Sequence, residues 1–521
     1  MSILIFLLIS YVLLCFSLSI LFKKVSIDAS KAWIPGINFA EWCKLIGRSP
    51  RHAWWLLFPI VNFFIFAAMC VDLVKSFGKM SFWDSALAVV YAPLAFWLIG
   101  TNKSIKFIEP AFAKEKEFLD EMHEAQKRKD WARVQRIRNT NKYARGAIRE
   151  WVESIIFAVF AAAFIRMFFI EAYVIPTPSM EGTLKVGDFL FVSKVHYGIR
   201  TPMTVAMIPL LHNRIPKLDV ESYFTKPSLP YFRLPALTSV KRNDPFVFNW
   251  PVGDSVYVTP NRSWTDFQVK TQADAARECK GLPLIVRPLD KKDHYIKRCV
   301  AIPGDSLQII DRQLYINGKM AENPEHMQYM YEVSSTTSNL SIKKLESWGV
   351  NTKDPYFKYG IMFLDEAQLA KIKAMGPDVT ATPYENPDKR CFPYDVTNFP
   401  NWSFNDYGPI WIPKKDVKIP ISLENLALYH RIINVYENNK LEVRDQKIYI
   451  NGQQTDTYTF KQDYYWAMGD NRHNSEDSRA WGFVPFDHVV GKPLFIWFSL
   501  KNGNFSDGIN WNRIFTSTNK M

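Results

Sequence analysis

Ile3 to Phe22 is a run of twenty residues without a charge, closed by Lys23 and Lys24. An uncharged helix of that length matches one crossing of a bilayer's hydrocarbon core. A cleaved signal peptide would carry basic residues before the run and a small-x-small site after it, and would be shorter. None of these holds, so an anchor is expected. Two further apolar stretches, Ala53 to Val71 and Ser85 to Gly100, each contain a proline (Pro59, Pro93), which leaves both a spanning pair and a buried or re-entrant hairpin open. A fourth, Ser154 to Ile170, is interrupted only by Arg166 near its far end, where a long side chain can snorkel to the interface.

The loops between these stretches set a direction. Residues 23–53 carry six Lys/Arg against two Asp/Glu, and residues 102–150 carry thirteen against eight. Under the positive-inside rule both are cytoplasmic. Four spans then leave both termini, and everything after Ile170, outside. The segment from about Phe112 to Glu150, rich in Glu, Lys, Arg, Gln and Ala, reads as a solvated helix with i,i+4 charge pairs. These two segments supply nine of the net charge of +13. No aromatic-basic motif or zinc-type Cys/His spacing accompanies it, so nucleic acid is not expected as a partner. With 48% hydrophobic and 22% charged residues, the chain suits an enzyme on a membrane anchor better than a bundle buried in lipid. Three of the six cysteines lie in the apolar region (Cys15, Cys43, Cys70) and three in the polar part (Cys279, Cys299, Cys391). That leaves room for one disulfide and a free thiol, with the pair undetermined.

After Glu171 the texture changes to short β-branched and aromatic runs broken by Gly, Pro and Asn/Asp, such as "DFLFVSKVHYG" (188–198), "DPFVFNWP" (244–251) and "PLFIWFSL" (493–500). The spacing predicts antiparallel strands. Weaker patterns at 200–240, 255–290 and most of 320–435 read as insertions on a β core. "LQIIDRQLYINGKM" (307–320) and "LEVRDQKIYINGQQ" (441–454) share one frame. Each reads as a hairpin turned at the Asp and closed by an Asn-Gly of the type I′ kind, which suggests a duplicated structural unit.

Three segments carry candidate chemistry. In "VIPTPSMEGTLKVGDFLFVSK" (174–194), Ser179 sits in a proline-bounded turn before a strand, a setting that exposes a hydroxyl. Nine residues separate it from Ile170, so it stays within roughly 30 Å of the membrane surface. In "HYIKRCVAIPGDSL" (294–307), alternation places Tyr295, Lys297 and Cys299 on one strand face. If that face is inward, burial lowers the lysine pKa, as a neutral-amine base requires. "WAMGDNRHNSEDSRAWGFVP" (466–485) crowds acids, bases and serines between two apolar strands and suggests a loop locked by ion pairs.

Together, in order and content, these segments resemble the boxes of bacterial type I signal peptidases, the Ser/Lys-dyad proteases that remove signal peptides from exported proteins. The resemblance covers about 150–310 and 460–500 and includes "RNDPFVF" as a further box. It implies a mainly β extracytoplasmic catalytic domain of antiparallel sheets, of the signal-peptidase and LexA kind, with large insertions and a preceding α-helical transmembrane region. The expected organisation is a membrane region at 1–101, a basic cytoplasmic segment at 102–150, a transmembrane helix at 151–171 and a peptidase domain at 172–521, with an inserted segment about 320–440. By the same resemblance Ser179 is the nucleophile, Lys297 the base, and the Thr177 hydroxyl with the Ser179 amide the oxyanion hole. Ser475 would orient the lysine, and Asp470, Arg472, Asp477 and Arg479 would support the loop. No cofactor or metal is implied. The implied partners are exported preproteins cut after small-x-small motifs, the lipid bilayer and the secretion machinery; the implied location is the bacterial inner membrane, multi-pass, with the catalytic domain on the periplasmic side.

The chain departs from the family pattern at Gly182, where proline is usual, and at Asn243, where glycine is common. A catalytic histidine is not expected from His196, His294 or His473, and Cys299 reads as a packing residue. A protease dedicated to one partner or to itself, or a non-enzymatic secretion protein of the same fold, are the competing readings.

Overall fold

The computed structural model describes residues 2–57, 61–141, 143, 147–215, 218, 220–260, 262–336, 340–384 and 390–518. They form two compact units, Met1–Ile156 and Phe157–Met521.

In the first unit the helix Ser2–Lys24 buries Leu14, Leu18, Leu21 and Phe22, a stripe at helical spacing, and packs on the helix Ala92–Thr101. Lys24 Nζ caps the end of that partner, donating to the carbonyls of Ile99 at 2.8 Å and Asn102 at 2.6 Å. The stretch 85–100 is not one element but parts of two helices, Phe82–Val90 and Ala92–Thr101. Pro93 is the reason. Inside a continuous helix it would remove a hydrogen bond and clash with the preceding turn, whereas in the first turn of a new one its missing N–H costs nothing. At nine and ten residues, neither piece has the length of a helical crossing. The stretch 53–71 is likewise divided between a 3₁₀ segment, Pro50–Leu57, and the helix Val61–Ser76; residues 58–60, with Pro59, lie outside the described residues. The first and fourth stretches become the helices Ser2–Lys24 and Ala147–Phe168, although the side chains of residues 2–7, 147–150 and 153 lie outside the described residues. Among the described residues no helix is long and apolar enough to cross a membrane. The single solvated helix expected over 112–150 is two helices, Ala111–Lys127 and Trp131–Thr140. They are turned at Lys129 (φ 57), and Asp130 caps the second by accepting from Arg133 N at 3.0 Å.

The second unit is built on a seven-stranded sheet whose described pairings are antiparallel. Its strands are β1 (Ile170–Val174), β2 (Asp188–Ser193), β3 (Pro245–Asn249), β4 (His294–Ala301), β5 (Tyr464–Met468), β6 (Val484–Pro485) and β7 (Val489–Ser499), in the order β1-β2-β7-β3-β4-β5-β6. The antiparallel β-rich unit expected from the short, turn-punctuated runs is therefore present. The 307–320 and 441–454 repeats have the same form, two strands and a short third. Both central residues of the first turn have positive φ in each copy (Asp311 43°, Arg312 70°; Asp445 47°, Gln446 61°), as do those of the second (Asn317 and Gly318; Asn451 and Gly452). That is the type I′ signature the Asn-Gly pairs predicted.

The expected insertion at 320–440 has two characters. The described residues of 329–383 form a three-stranded sheet with two helices, Ile342–Ser347 and Glu366–Lys373, around their own core of Val333, Leu345, Met362, Leu364 and Ile372. The later part is not peripheral. Phe392, Tyr407, Ile410, Tyr429 and Ile433 pack with Val300, Leu307 and Trp466 in one continuous cluster. All six cysteines are buried free thiols, so the disulfide left open by their number is not formed.

Candidate active site

Ser179 is the middle residue of a single 3₁₀ turn, Pro178–Met180, entered from Thr177 in an extended conformation (φ −129°, ψ 152°). The turn is pinned on both sides. Ile175 N donates to Asp188 O at 2.9 Å and Gly187 N to Ile175 O at 3.0 Å, tying it to the start of β2. Met180 is fully buried with Ile175, Leu184 and Leu190. Two successive residues thus point opposite ways, Met180 into the core and Ser179 towards β4.

Lys297 is the residue it meets. Lys297 Nζ donates to Ser179 Oγ at 2.8 Å and to the Ile296 carbonyl at 3.1 Å. β4 lies between β3 and β5, and Phe246 is opposite Lys297 in the ladder. A lysine on such a strand loses its solvent, and Lys297 is 4% exposed. Burial lowers its pKa from 10.5 to about 8, partly offset by the carboxylates of Asp477, Glu476 and Asp470. Thr177 Oγ1 lies 3.5 Å from Ser179 Oγ.

The loop after β5 is held by two buried ion pairs. Arg479 grips Asp477 through Nε (2.9 Å) and Nη2 (2.8 Å), and Asp477 Oδ2 accepts from Gly469 N at 3.1 Å. Burial alone would raise the Asp477 pKa; the Arg479 guanidinium brings it below the usual carboxylate value. Asp470 is held by Arg298, the neighbour of Lys297 in sequence, in a bidentate pair of 2.7 and 2.6 Å. Arg298 also donates to Asn243 O at 2.7 Å and to Thr183 Oγ1 at 3.2 Å. One guanidinium therefore joins the strand carrying Lys297, the turn after Ser179 and the final loop. The sequence reading assigned Arg298 no role; its signal was a second basic residue beside the lysine with an unmatched acid, Asp470, in the final segment. Asn243 adopts φ 67°, the left-handed region that makes glycine common there.

Ser475 and Arg472 sit differently from their expected roles. Ser475 Oγ is buried and makes no hydrogen bond of ordinary geometry; its bond to Lys297 is not formed. It lies across Gly469 from the Ser179 carbonyl, so closely that a Cβ on Gly469 would overlap both. Arg472 is buried with Nε and Nη1 unpaired, and joins the loop through its backbone, accepting from Arg479 Nη2 at 2.5 Å and donating to Gln328 O at 2.8 Å.

That Gln328 contact marks a second feature the sequence did not disclose. The chain entering the 329–383 body runs beside the Ser179 turn. Gln328 N donates to Asp470 O at 2.9 Å, Asn471 N to Ser179 O at 3.2 Å, and Asn351 Nδ2 to Glu181 Oε2 at 3.0 Å. The His326 carbonyl occupies the space where a Cβ of Gly182 would lie, and Gly182 itself has φ 101°. The proline usual at that position cannot be accommodated.

None of the three histidines weighed against the lysine hydrogen-bonds Ser179. His196 pairs with Ser193 Oγ at 2.7 Å, His473 with Asn405 Oδ1 at 2.7 Å, and His294 packs its ring on Tyr173 and His212. Cys299 is fully buried, and burial pushes its thiol well above the usual value, away from the thiolate a nucleophile needs.

A family model described as "Signal peptidase, peptidase S26" matches residues 148–362 and 453–498, half of the chain, and spans both the Ser179 turn and the final loop. A second, a family of unknown function (DUF5684), matches residues 30–110. The chain is similar to Signal peptidase I of Helicobacter pylori, 25% identical over 378 residues that cover 70% of this chain and 90% of that protein. It is also similar to Signal peptidase I of Buchnera aphidicola (25% identical, 69% and 78% covered) and of Haemophilus influenzae (24% identical, 70% and 74% covered). With the match spanning the strands and turns that assemble this site, the chain belongs to the signal peptidase family, peptidase S26.

Proposed function

We propose that this chain removes N-terminal signal peptides from exported preproteins as a serine endopeptidase in which Ser179 is the nucleophile and Lys297 the general base. The observation that carries the reading is the 2.8 Å contact between Ser179 Oγ and a lysine amine taken almost wholly out of water. A hydroxyl is a poor nucleophile until its proton is removed during attack, and an amine can take that proton only when neutral. Burial lowers the Lys297 pKa to about 8, so a useful fraction of the amine is neutral near physiological pH. In the first step Ser179 Oγ bonds to the scissile carbonyl carbon while its proton passes to Lys297. The oxyanion is met by the Ser179 N–H and the Thr177 hydroxyl. Collapse breaks the C–N bond, Lys297 returns the proton to the departing amine, and a water activated by the same lysine releases the acyl group. Asp470, Arg472, Asp477 and Arg479 keep the final loop in place without touching substrate, and cleavage follows small-x-small motifs.

The site belongs at a membrane surface in this reading. Trp151, Ile155, Phe157, Phe160 and Ile165 of the helix Ala147–Phe168 are all exposed, an apolar surface that lipid would cover. The same holds for Leu8, Ile9, Val12 and Phe16 of the first helix. The strongly basic 102–150 segment lies on the cytoplasmic side and the catalytic unit on the other. Purified chain incubated with a preprotein bearing Ala at −3 and −1 should cut after the second Ala, and cleavage elsewhere or none overturns the assignment. Substitution of Asp130 by Cys and labelling from outside intact cells tests the orientation; modification there reverses it.

A further inference from the structure

Where the helix Ala147–Phe168 runs into β1, a cavity of ≈ 90 Å³ is lined, among the described residues, by four cations, Arg166, Lys194, Arg200 and Lys291, and two carboxylates, Glu171 and Asp290. Neither Ser179 nor Lys297 takes part in it. Both carboxylates are already engaged. Glu171 pairs with Arg166 at 2.7 Å and Lys194 at 2.8 Å, and accepts from the Tyr173 hydroxyl at 2.7 Å. Asp290 accepts from the N–H and the hydroxyl of Thr204, both at 2.8 Å. Arg200 donates to neutral oxygens, Asn249 Oδ1 and Asp487 O, each at 2.9 Å. Lys291 is 3% exposed, and among the described residues its ammonium meets the Met207 thioether at 2.9 Å and the Tyr223 ring at 5.2 Å. Two imidazoles in the lining, His212 and His294, are held neutral by burial. Among the described residues the lining therefore holds more cationic side chains than carboxylates, and burial disfavours the charged forms of Lys291 and Lys194 unless an anion enters.

The loop that lines one side with Thr201, Thr204, Met207 and Leu210 also leaves Ile208, Leu210, Leu218, Phe224, Phe232 and Leu237 exposed along its course. A cationic hollow beside exposed apolar side chains matches the two ends of an anionic amphiphile. We propose that this cavity binds the phosphate of an anionic phospholipid from the leaflet on which the catalytic unit rests. The proposal builds on the membrane placement given above. The phosphate would sit against Lys291 and Arg200, with the acyl chains against the apolar loop; arginine and lysine are the side chains suited to a phosphate oxyanion.

The test uses the full chain and short-chain phosphatidylglycerol kept below its micelle concentration, so that binding is read without a bilayer. The wild type should bind it, and the double variant Lys291→Met, Arg200→Gln should bind about tenfold or more weakly while still cleaving a signal-peptide substrate in neutral lipid. The single variant Lys291→Met, which keeps the Asn249 and Asp487 contacts, guards against misfolding and should give an intermediate loss. Equal binding by wild type and both variants overturns the pocket. Equal binding of short-chain phosphatidylcholine overturns the anionic requirement. Inorganic phosphate that binds as tightly as the lipid overturns the lipid source and leaves a free-anion site. Flotation of the wild type with phosphatidylcholine vesicles is read separately; its failure overturns the membrane placement and is distinct from loss of phosphatidylglycerol binding.

Discussion

Lys297 Nζ lies 2.8 Å from Ser179 Oγ although 118 residues separate the two in the chain. β4 brings the lysine to the Ser179 turn, and the same strand's Arg298 ties that turn to the final loop.

The pair should behave as a dyad. Ser179→Ala and Lys297→Met should each reduce peptide cleavage by roughly 10⁴-fold or more, because neither half acts without the other. In the wild type kcat/KM should climb about tenfold per pH unit below the lysine pKa and level off above about 8, where the amine is neutral. A flat profile between pH 6 and 9 with a soluble peptide would exclude Lys297 as the base.

Lys297→Met should also stabilise the fold. The unfolded lysine titrates near 10.5 and the folded one near 8, so below pH 8 both states carry the proton and the folded state bears the cost of a buried ammonium. That cost is about 3 kcal/mol and is relieved as pH rises from 8 to 10.5. Thermal unfolding should show the variant melting higher than wild type at pH 7, with the gap closing towards pH 10.5. An unchanged gap across that range would mean the lysine is not desolvated in the folded protein.

Thr177→Val should lower kcat by about 10²-fold with little change in KM, and Thr177→Ser should restore most of it, if the hydroxyl meets the developing oxyanion. A larger change in KM than in kcat would assign Thr177 to substrate binding instead.

Gly182→Pro, which installs the family's usual residue, should be harmful here. Its ring would strike the His326 carbonyl, and its fixed negative φ cannot match the observed 101°. Activity should fall at least about tenfold and the melting temperature should drop, consistent with a strained position costing about 1–3 kcal/mol. A fully active Gly182→Pro would show that the chain at 326–328 does not abut the Ser179 turn.

Asp470→Asn should cost about 3–5 kcal/mol of stability, because it leaves Arg298 buried without its counter-charge. The double variant Asp470→Asn, Arg298→Met should recover part of that loss, as measured by denaturant unfolding.

Much of this is legible in the sequence. Local pattern marked the turn at Ser179, the strand at 294–301 and the paired I′ hairpins, because each depends on neighbours within a few residues: prolines, alternation, and Asn-Gly pairs. The ion pair of Asp477 with Arg479 was equally accessible, since two positions separate its members. The apolar stretches were read less well. Length and composition located them, but whether 85–100 stays one helix is decided at Pro93 by backbone geometry that hydropathy does not register.

The sequence, through its resemblance to the signal peptidase boxes, nominated the groups expected to do the chemistry, a serine, a lysine and a threonine. Only the folded chain decided that the lysine loses its water, that Arg298 rather than a residue of the final loop holds Asp470, that Ser475 stands across Gly469 without reaching the lysine, and that the 326–328 segment occupies the space a proline at 182 would need. The physical reason is common to all four. Desolvation, ion pairing and close backbone approach depend on what packs from remote parts of the chain, and a sequence read a few residues at a time carries no record of that distance.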